Sequence, residues 1–312
     1  MRFWVASLIV AGLAGSVSMT ARQDQRPTFR ATVQRVAVAA TVRNKQGKPV
    51  TTLTQNDFQL LDSGNAKNIV DFRTDDSPIT LGLLVDFSGS MGVAEKRAAA
   101  RANAYHLLSW LRAGKDEAGL FVFDKGLREA QPIAPAPGDI LAQLDRVEKP
   151  FGATSLFDAI AETGRILSER GAARRAVVAL TDGADNASRL SPAEVSKIAS
   201  GIDVPVYVVV VVSPLDRAGN TVVNEEQLAA ALDGPLANLA RFTGGEIFAG
   251  IGPAQSSSAA RQITTELRQQ YLIAFEPDSQ PGWHPIDLRT KDKNLLVRAR
   301  SGYVVRGNPA GY

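Results

Sequence analysis

The chain of 312 residues has no cysteine, two histidines, three methionines and only 6% aromatic residues. Without cysteine there can be no disulfide, no thiolate zinc site, no thiol nucleophile and no lipid anchor on a cysteine. That absence is compatible with either redox compartment. Charge of one sign is also scarce. Lys and Arg total 35 against 32 for Asp and Glu, a net +3, too small an excess to argue for a nucleic-acid partner. There is no internal repeat and no low-complexity tract. With 45% hydrophobic and 21% charged residues, disorder and collagen-like classes are excluded, and the length suffices for one large domain or two smaller ones.

Long apolar runs are missing beyond the N-terminus. There, Arg2 precedes an apolar stretch from residue 3 to about 17, followed by small residues at 18–21 and the polar run Arg22-Gln23-Asp24-Gln25-Arg26-Pro27. This is the layout of a secretory signal peptide, shorter than the roughly 20 residues that span a bilayer. An uncleaved anchor is the alternative. The expectation is a secreted or periplasmic protein with no membrane span in the mature chain.

From 31 to about 73 the texture is all-β. Val33, Val36, Val38 and Val42 stand among polar and small residues, and Asn44-Lys45-Gln46-Gly47-Lys48-Pro49 marks a turn. Phe58-Gln59-Leu60-Leu61 is expected to pair with Ile69-Val70-Asp71-Phe72 across Asp62-Ser63-Gly64-Asn65. Residues 74–78 read as a linker. From 79 the pattern changes. Continuous apolar runs at 79–85, 176–180 and 206–212 are expected to be strands buried on both faces of a parallel sheet. Helical segments lie between them. The segment 95–112 is rich in Ala and Leu. Leu156, Ile160, Thr163 and Leu167 share one face, with Ser155 and Asp158 as a capping pair. Ser191-Pro192-Ala193-Glu194 opens another helix, and 235–242 stops at Gly244-Gly245. A last helix near 259–270 leads into strands at 271–275, 284–288 and 295–300. Strand–helix alternation predicts an α/β fold with a doubly wound, mostly parallel sheet. The N- and C-terminal strands are expected to meet in one small β domain flanking it.

The chemistry gathers at the strand ends. The first buried run ends in Asp86-Phe87-Ser88-Gly89-Ser90-Met91-Gly92 and the 176–180 run in Thr181-Asp182-Gly183, while Gly152-Ala153-Thr154-Ser155 stands immediately before a helix. In a parallel sheet all three points fall on the carboxyl edge, where such folds bind ligands. Two carboxylates, Asp86 and Asp182, and three hydroxyls, Ser88, Ser90 and Thr154, can converge there. An all-oxygen set suits a hard cation, Mg²⁺ first and Mn²⁺ or Ca²⁺ as alternatives. If the hydroxyls coordinate directly and the carboxylates act mostly behind water, the ion keeps much of its charge and an open position for an outside carboxylate.

At these residues the chain resembles the von Willebrand factor type A domain, whose metal-ion-dependent adhesion site has the pattern Asp-x-Ser-x-Ser, then Thr, then Asp. Asp86, Ser88, Ser90, Thr154 and Asp182 match it in full. The flanks, 48–58 before and 271–275 with 297–303 after, resemble an acidobacterial-type subgroup of exported proteins with this domain. The division implied is a signal peptide at 1–21, an N-terminal β segment at 28–77, the type A domain at 78–270 and a C-terminal β segment at 271–307. The resemblance implies divalent-metal-dependent binding of a protein that supplies an Asp or Glu carboxylate, in adhesion or scaffolding, with no catalysis and no catalytic residue. Two alternatives stand beside it: a metal-assisted hydrolase or phosphoryl-transfer enzyme, and a structural spacer whose β domain makes the contacts.

Other features read blandly. Asp185 has two readings, a partner supporting the site residues and, preferred, a solvated loop carboxylate. His106, on a helix, and His284, on a strand, do not support a Ser-His-Asp triad near Ser88 or Ser90. The nucleophile elbow is absent because Asp86 occupies its first glycine position. Gly250-Ile251-Gly252 lacks the third glycine of a dinucleotide fingerprint, and the sequon at Asn186 reads as chance. Arg289, Lys291, Lys293, Arg298 and Arg300 are expected to form a solvated strand face.

Overall fold

The computed structural model describes residues 35–305 apart from 75, 94, 136, 148–150, 172–173 and 213–231. The expected signal peptide and the start of the N-terminal β segment lie outside the described residues.

Short strands with one apolar face come first: β1 (Val36–Arg43), β2 (Phe58–Asp62), β3 (Asn65–Lys67) and β4 (Ile69–Arg73). The central sheet follows with β5 (Ile79–Asp86), β6 (Glu117–Phe123), β7 (Leu127–Ala134), β8 (Arg174–Thr181), β9 (Val206–Val211) and β10 (Ile247–Gly250). Its order is β10-β9-β8-β5-β6-β7. Every pairing is parallel except the β6–β7 hairpin. All eight residues of β5 are buried, as an apolar run in mid-sheet requires when helices cover both faces.

Those helices are α1 (Lys96–Ser109), α2 (Ile140–Arg146), α3 (Leu156–Ser168), α4 (Pro192–Gly201), α5 (Pro235–Phe242) and α6 (Pro253–Arg268). One face of the sheet packs Leu81, Leu83 and Val85 against Ala104, Leu107, Leu144 and Ile263 of α1, α2 and α6. The other packs Leu84, Val177 and Val208 against Ile160, Val195 and Leu239 of α3, α4 and α5. Gly82 admits α3 closely, since a Cβ there would lie 2.9 Å from the Thr163 methyl.

The chain ends in β11 (Tyr271–Phe275), β12 (Gly282–Thr290), β13 (Leu296–Ala299) and β14 (Gly302–Val305). These join the first four strands in two antiparallel sheets, β13-β1-β11-β4 and β14-β12-β2-β3. Both sheets interleave N- and C-terminal strands around a shared core that includes Val38, Phe58, Tyr271, Phe275 and Tyr303. The α/β sheet is therefore inserted into the β unit, as the sequence led us to expect.

Three local expectations need correction. Phe58–Leu61 does not pair with 69–72. Ser63 and Gly64 both have positive φ, 52° and 84°, which makes a two-residue turn of the kind that closes hairpins tightly. β2 thus folds back on β3, and β4 crosses to the other sheet beside β11. Phe58 and Phe72 meet instead across the core, with ring centroids 5.7 Å apart. The solvated basic face is also only half right. Arg289, Lys291 and Lys293 are exposed, but Arg300 is buried and donates to the Ser200 carbonyl at 2.7 Å. Arg298 joins Glu246 at 2.6 Å and also Glu266, tying β13 to α6. Finally, Ser155 and Asp158 do not cap α3 reciprocally; its caps come from another loop, described next.

Candidate functional site

Asp86 ends β5, and its two oxygens do different work. Oδ1 accepts the Ser88 backbone N–H at 2.8 Å, folding the chain into a tight turn. Oδ2 accepts the Thr181 hydroxyl at 2.6 Å, tying the ends of β5 and β8 together. Phe87 and Met91 point into the core while Ser88 and Ser90 turn the other way, so their hydroxyls meet at 3.1 Å. Burial pushes the Asp86 carboxyl above the ordinary carboxylate range. The hydrogen bonds from Thr181 and Ser88 oppose that rise, and the neighbouring Asp182 charge adds to it. No cation is hydrogen-bonded to Asp86 among the described residues.

The second loop is held against the first by backbone. Phe151 N–H donates to the Phe87 carbonyl and Gly89 N–H to the Gly152 carbonyl, both at 3.0 Å. Gly152 turns the chain at φ 94°, a conformation that favours glycine. Thr154 follows, buried. Its N–H donates to the Asn186 side chain at 2.8 Å, and its carbonyl accepts from the N–H groups of Asn186 and Ala187. The Thr154 hydroxyl hydrogen-bonds to no group among the described residues, although its main chain is fully engaged.

The third loop leaves β8 at Asp182 and reaches back to α3. Asp185 accepts the Leu156 N–H at 2.8 Å and the Ser188 hydroxyl at 2.6 Å. Ser188 Oγ in turn accepts the N–H groups of Phe157 and Asp158 at 3.0 and 3.2 Å. The first donors of α3 are thus satisfied by the loop after β8. Asp158 faces the other way and accepts the Leu190 N–H at 2.9 Å. Asp185, for which solvation was the preferred expectation, is a structural acceptor that fixes the start of the helix following Thr154. Asn186 is likewise committed to Thr154. Neither role shows in local sequence, because the partners stand about thirty positions apart. A carboxylate and an amide crowded into Asp182-Gly183-Ala184-Asp185-Asn186 were the available signal.

One residue in the cleft was not anticipated at all. Lys96 Nζ lies 2.9 Å from Asp182 Oδ2, and both side chains line an open cleft of about 560 Å³ with Ser90, Asp185 and Leu236. The structure therefore brings the three loops together at the carboxyl edge, with Ser88 and Ser90 in direct contact and Ser90 and Asp182 in one cleft. Among the described residues no group of three or more His, Asp or Glu side chains could form a metal cage. The donors present are two carboxylates with three hydroxyls, one of them unpartnered. That set fits a hard, oxygen-seeking cation better than a soft one.

Elsewhere, His284 Nδ1 faces Asp62 Oδ1 at 3.3 Å and Ser63 Oγ at 3.5 Å, while Nε2 faces the Gln280 carbonyl at 2.7 Å. Serine and aspartate share one ring nitrogen, and the other is taken by a carbonyl. This is not the relay geometry of a triad.

No curated protein matches the chain in sequence. In fold it is similar to an aerotolerance-related membrane protein of Bacteroides fragilis, with 20% identity, 61% of this chain and 99% of that chain covered, and a TM-score of 0.45. It is also similar to BatB of Bacteroides thetaiotaomicron, with 18% identity, 60% and 98% covered, and a TM-score of 0.43. A third similar structure is a von Willebrand factor type A protein of Catenulispora acidiphila, with 15% identity, 89% and 75% covered, and a TM-score of 0.47. Residues 81–184, which include Asp86, Ser88, Ser90, Thr154 and Asp182, match the family model of the von Willebrand factor type A domain.

Proposed function

We propose that this chain is a protein-binding module of adhesion or scaffolding type that takes up a divalent cation at the β5 edge and through it captures a partner's Asp or Glu carboxylate. The observation that carries the reading is the pairing of the Ser88 and Ser90 hydroxyls at 3.1 Å, with the loop that bears Thr154 fastened to the same turn by backbone and the Thr154 hydroxyl hydrogen-bonded to no group among the described residues. Ser88, Ser90 and Thr154 would hold the ion, with Asp86 and Asp182 behind them. Asp86 already uses one oxygen on Ser88 N–H and the other on Thr181, so its role is to position the hydroxyls and supply charge at one remove. A hard ion in a largely neutral set of ligands supplies strong, uncancelled positive charge to an anion reaching it from outside. Mg²⁺ is the first candidate, Mn²⁺ and Ca²⁺ the others. The N-terminal sequence supports export to the periplasm or beyond as the setting.

The test is direct. Isothermal titration of the purified protein with Mg²⁺ and Mn²⁺ is expected to give one site per chain, lost in Ser90→Ala while the circular dichroism spectrum stays unchanged. A pull-down from the native exported fraction is expected to recover a partner with Mg²⁺ and none with EDTA. Recovery of the same partner in both conditions would refute metal dependence.

A further inference from the structure

Lys96 is a cation already standing at the candidate site, and local helix chemistry does not account for it. It is the first residue of α1, the end at which the helix dipole disfavours positive charge. The residue before it, Glu95, sits in left-handed backbone at φ 59° and makes no side-chain cap. A non-glycine residue in that conformation needs surrounding structure to hold it there. What the position gains is Asp182: the ammonium lies 2.9 Å from Oδ2, with the two side chains 19% and 10% exposed. The neighbouring cation, Arg97, is turned away, donating to the Val147 carbonyl at 2.8 Å and lying over the Phe87 ring. Lys96 alone of the two brings its charge into the cleft that Ser90 and Asp182 line.

We infer that Lys96 is an internal competitor for the divalent ion. Its ammonium offsets the Asp182 charge in the metal-free protein, and its own positive charge opposes a divalent ion arriving beside the same carboxylate. Lys96 thereby raises the metal concentration at which the cleft becomes able to capture an anion. It also lets the chain fold with Asp182 balanced before any metal is present. The inference rests on the metal-binding reading above and adds the setting of its threshold.

The experiment compares the wild-type protein with Lys96→Met, Lys96→Gln and Lys96→Arg by isothermal titration with Mg²⁺ and Mn²⁺, alongside thermal melts in EDTA and in Mg²⁺. The Met and Gln variants are expected to bind the ion about threefold to fivefold more tightly, the upper range of one ion pair converted to affinity, while the Arg variant keeps wild-type affinity or falls below it. Without metal the Met variant is expected to melt lower than wild type, and its rise on adding Mg²⁺ to be larger. Wild-type binding with equal or weaker binding by both neutral variants overturns the competitor role and leaves the metal site intact. Binding of neither ion by any of the four proteins overturns the metal site and the competitor together. Binding by the neutral variants alone supports both in their strongest form.

Discussion

Asp86 and Asp116 are buried carboxylates associated with opposite ends of one strand, and their surroundings differ in kind. Asp116 serves the N-terminal end of β5. It accepts the Ile79 N–H at 3.0 Å and the Arg112 N–H at 2.8 Å, and it pairs with the guanidinium groups of Arg112 at 3.0 Å and Arg268 at 2.7 Å. Burial alone would raise its carboxyl, but those donors outweigh it and hold it down at about 2. Asp86, at the C-terminal end, has only hydroxyl and amide donors, and its carboxyl is raised. Both side chains are removed from water, which is costly for a charge without a partner. The fold therefore completes the electrostatics of Asp116 with arginines, while at the other end Lys96 pairs with Asp182 and Asp86 has no cation hydrogen-bonded to it among the described residues. That difference separates an acid that stabilises the molecule from one suited to binding a cation.

The sharpest way to break the contrast is to remove Asp116. Asp116→Ala takes the acceptor from the Ile79 and Arg112 N–H groups and one partner from each arginine, which keep Asp76 and the Trp110 carbonyl, and should cost about 3 kcal/mol, the range for leaving a buried donor unpaired. Urea denaturation would measure it. Mg²⁺ affinity of the protein that remains folded should not change, since the opposite end of β5 is intact. A small loss of stability would mean the freed donors are satisfied elsewhere and the two ends are less different than they look.

The next test reverses the sign. For Asp116, folded below its unfolded value of 3.8, the stabilisation is present above about pH 4 and is lost as pH falls toward 2. Asp86 is raised, so the folded protein holds that proton where the unfolded chain has released it. Its contribution is fully present below 3.8 and is lost as pH rises through the folded value. In EDTA, the stability of wild type minus that of Asp86→Asn should therefore decline as pH rises from about 4 toward neutrality. The Asn variant should lie within about 1 kcal/mol of wild type at neutral pH, because it trades one hydrogen bond for relief from a buried charge. It should also lose Mg²⁺ binding. Denaturant midpoints across that pH range measure the first effect and isothermal titration the second. A difference curve that climbs with pH would place Asp86 in the same class as Asp116.

How much of this was open to reading from sequence follows from where the information lies. The apolar runs of β5, β8 and β9 stand out because a doubly covered strand needs every position to be apolar, and the five oxygen donors stand out because they sit at the ends of those runs. Strand β6 carries a run of the same kind, Ala118 to Phe123, but it is not followed by oxygen donors of the set, and β7 has no such run. Gly119 lies within β6, where a Cβ would meet Ile133 at 2.7 Å, and β7 is a partly exposed edge strand with Gln131 and Pro132 in it. The short β10 and β14 went unread for want of length. Asp116 and Lys96 were also invisible. Each looks like an ordinary charge in a polar stretch, and its meaning comes from a partner dozens of residues away: Arg268 for one and Asp182 for the other.

The smallest effect should come from Asn186, which sharpens the comparison within the binding end itself. Its side chain accepts the Thr154 N–H at 2.8 Å, and its backbone N–H donates to the Thr154 carbonyl at 3.0 Å. Asn186→Ala removes the first bond and keeps the second, so Thr154 stays tethered by one side only. The lost hydrogen bond is worth about 1 kcal/mol, since water can reach an exposed loop and replace part of it. The fold should hold, and the consequence should fall on the placement of the Thr154 hydroxyl, which has no hydrogen-bond partner among the described residues. Mg²⁺ affinity should drop severalfold with less than a few degrees of change in the metal-free melting temperature. An Asn186→Asp variant keeps an acceptor for Thr154 and should restore the binding. If alanine leaves affinity untouched, then Thr154 is positioned by Gly152 and the loop backbone alone, and the loop after β8 contributes to the candidate site through Asp182 and not through its grip on the neighbouring loop.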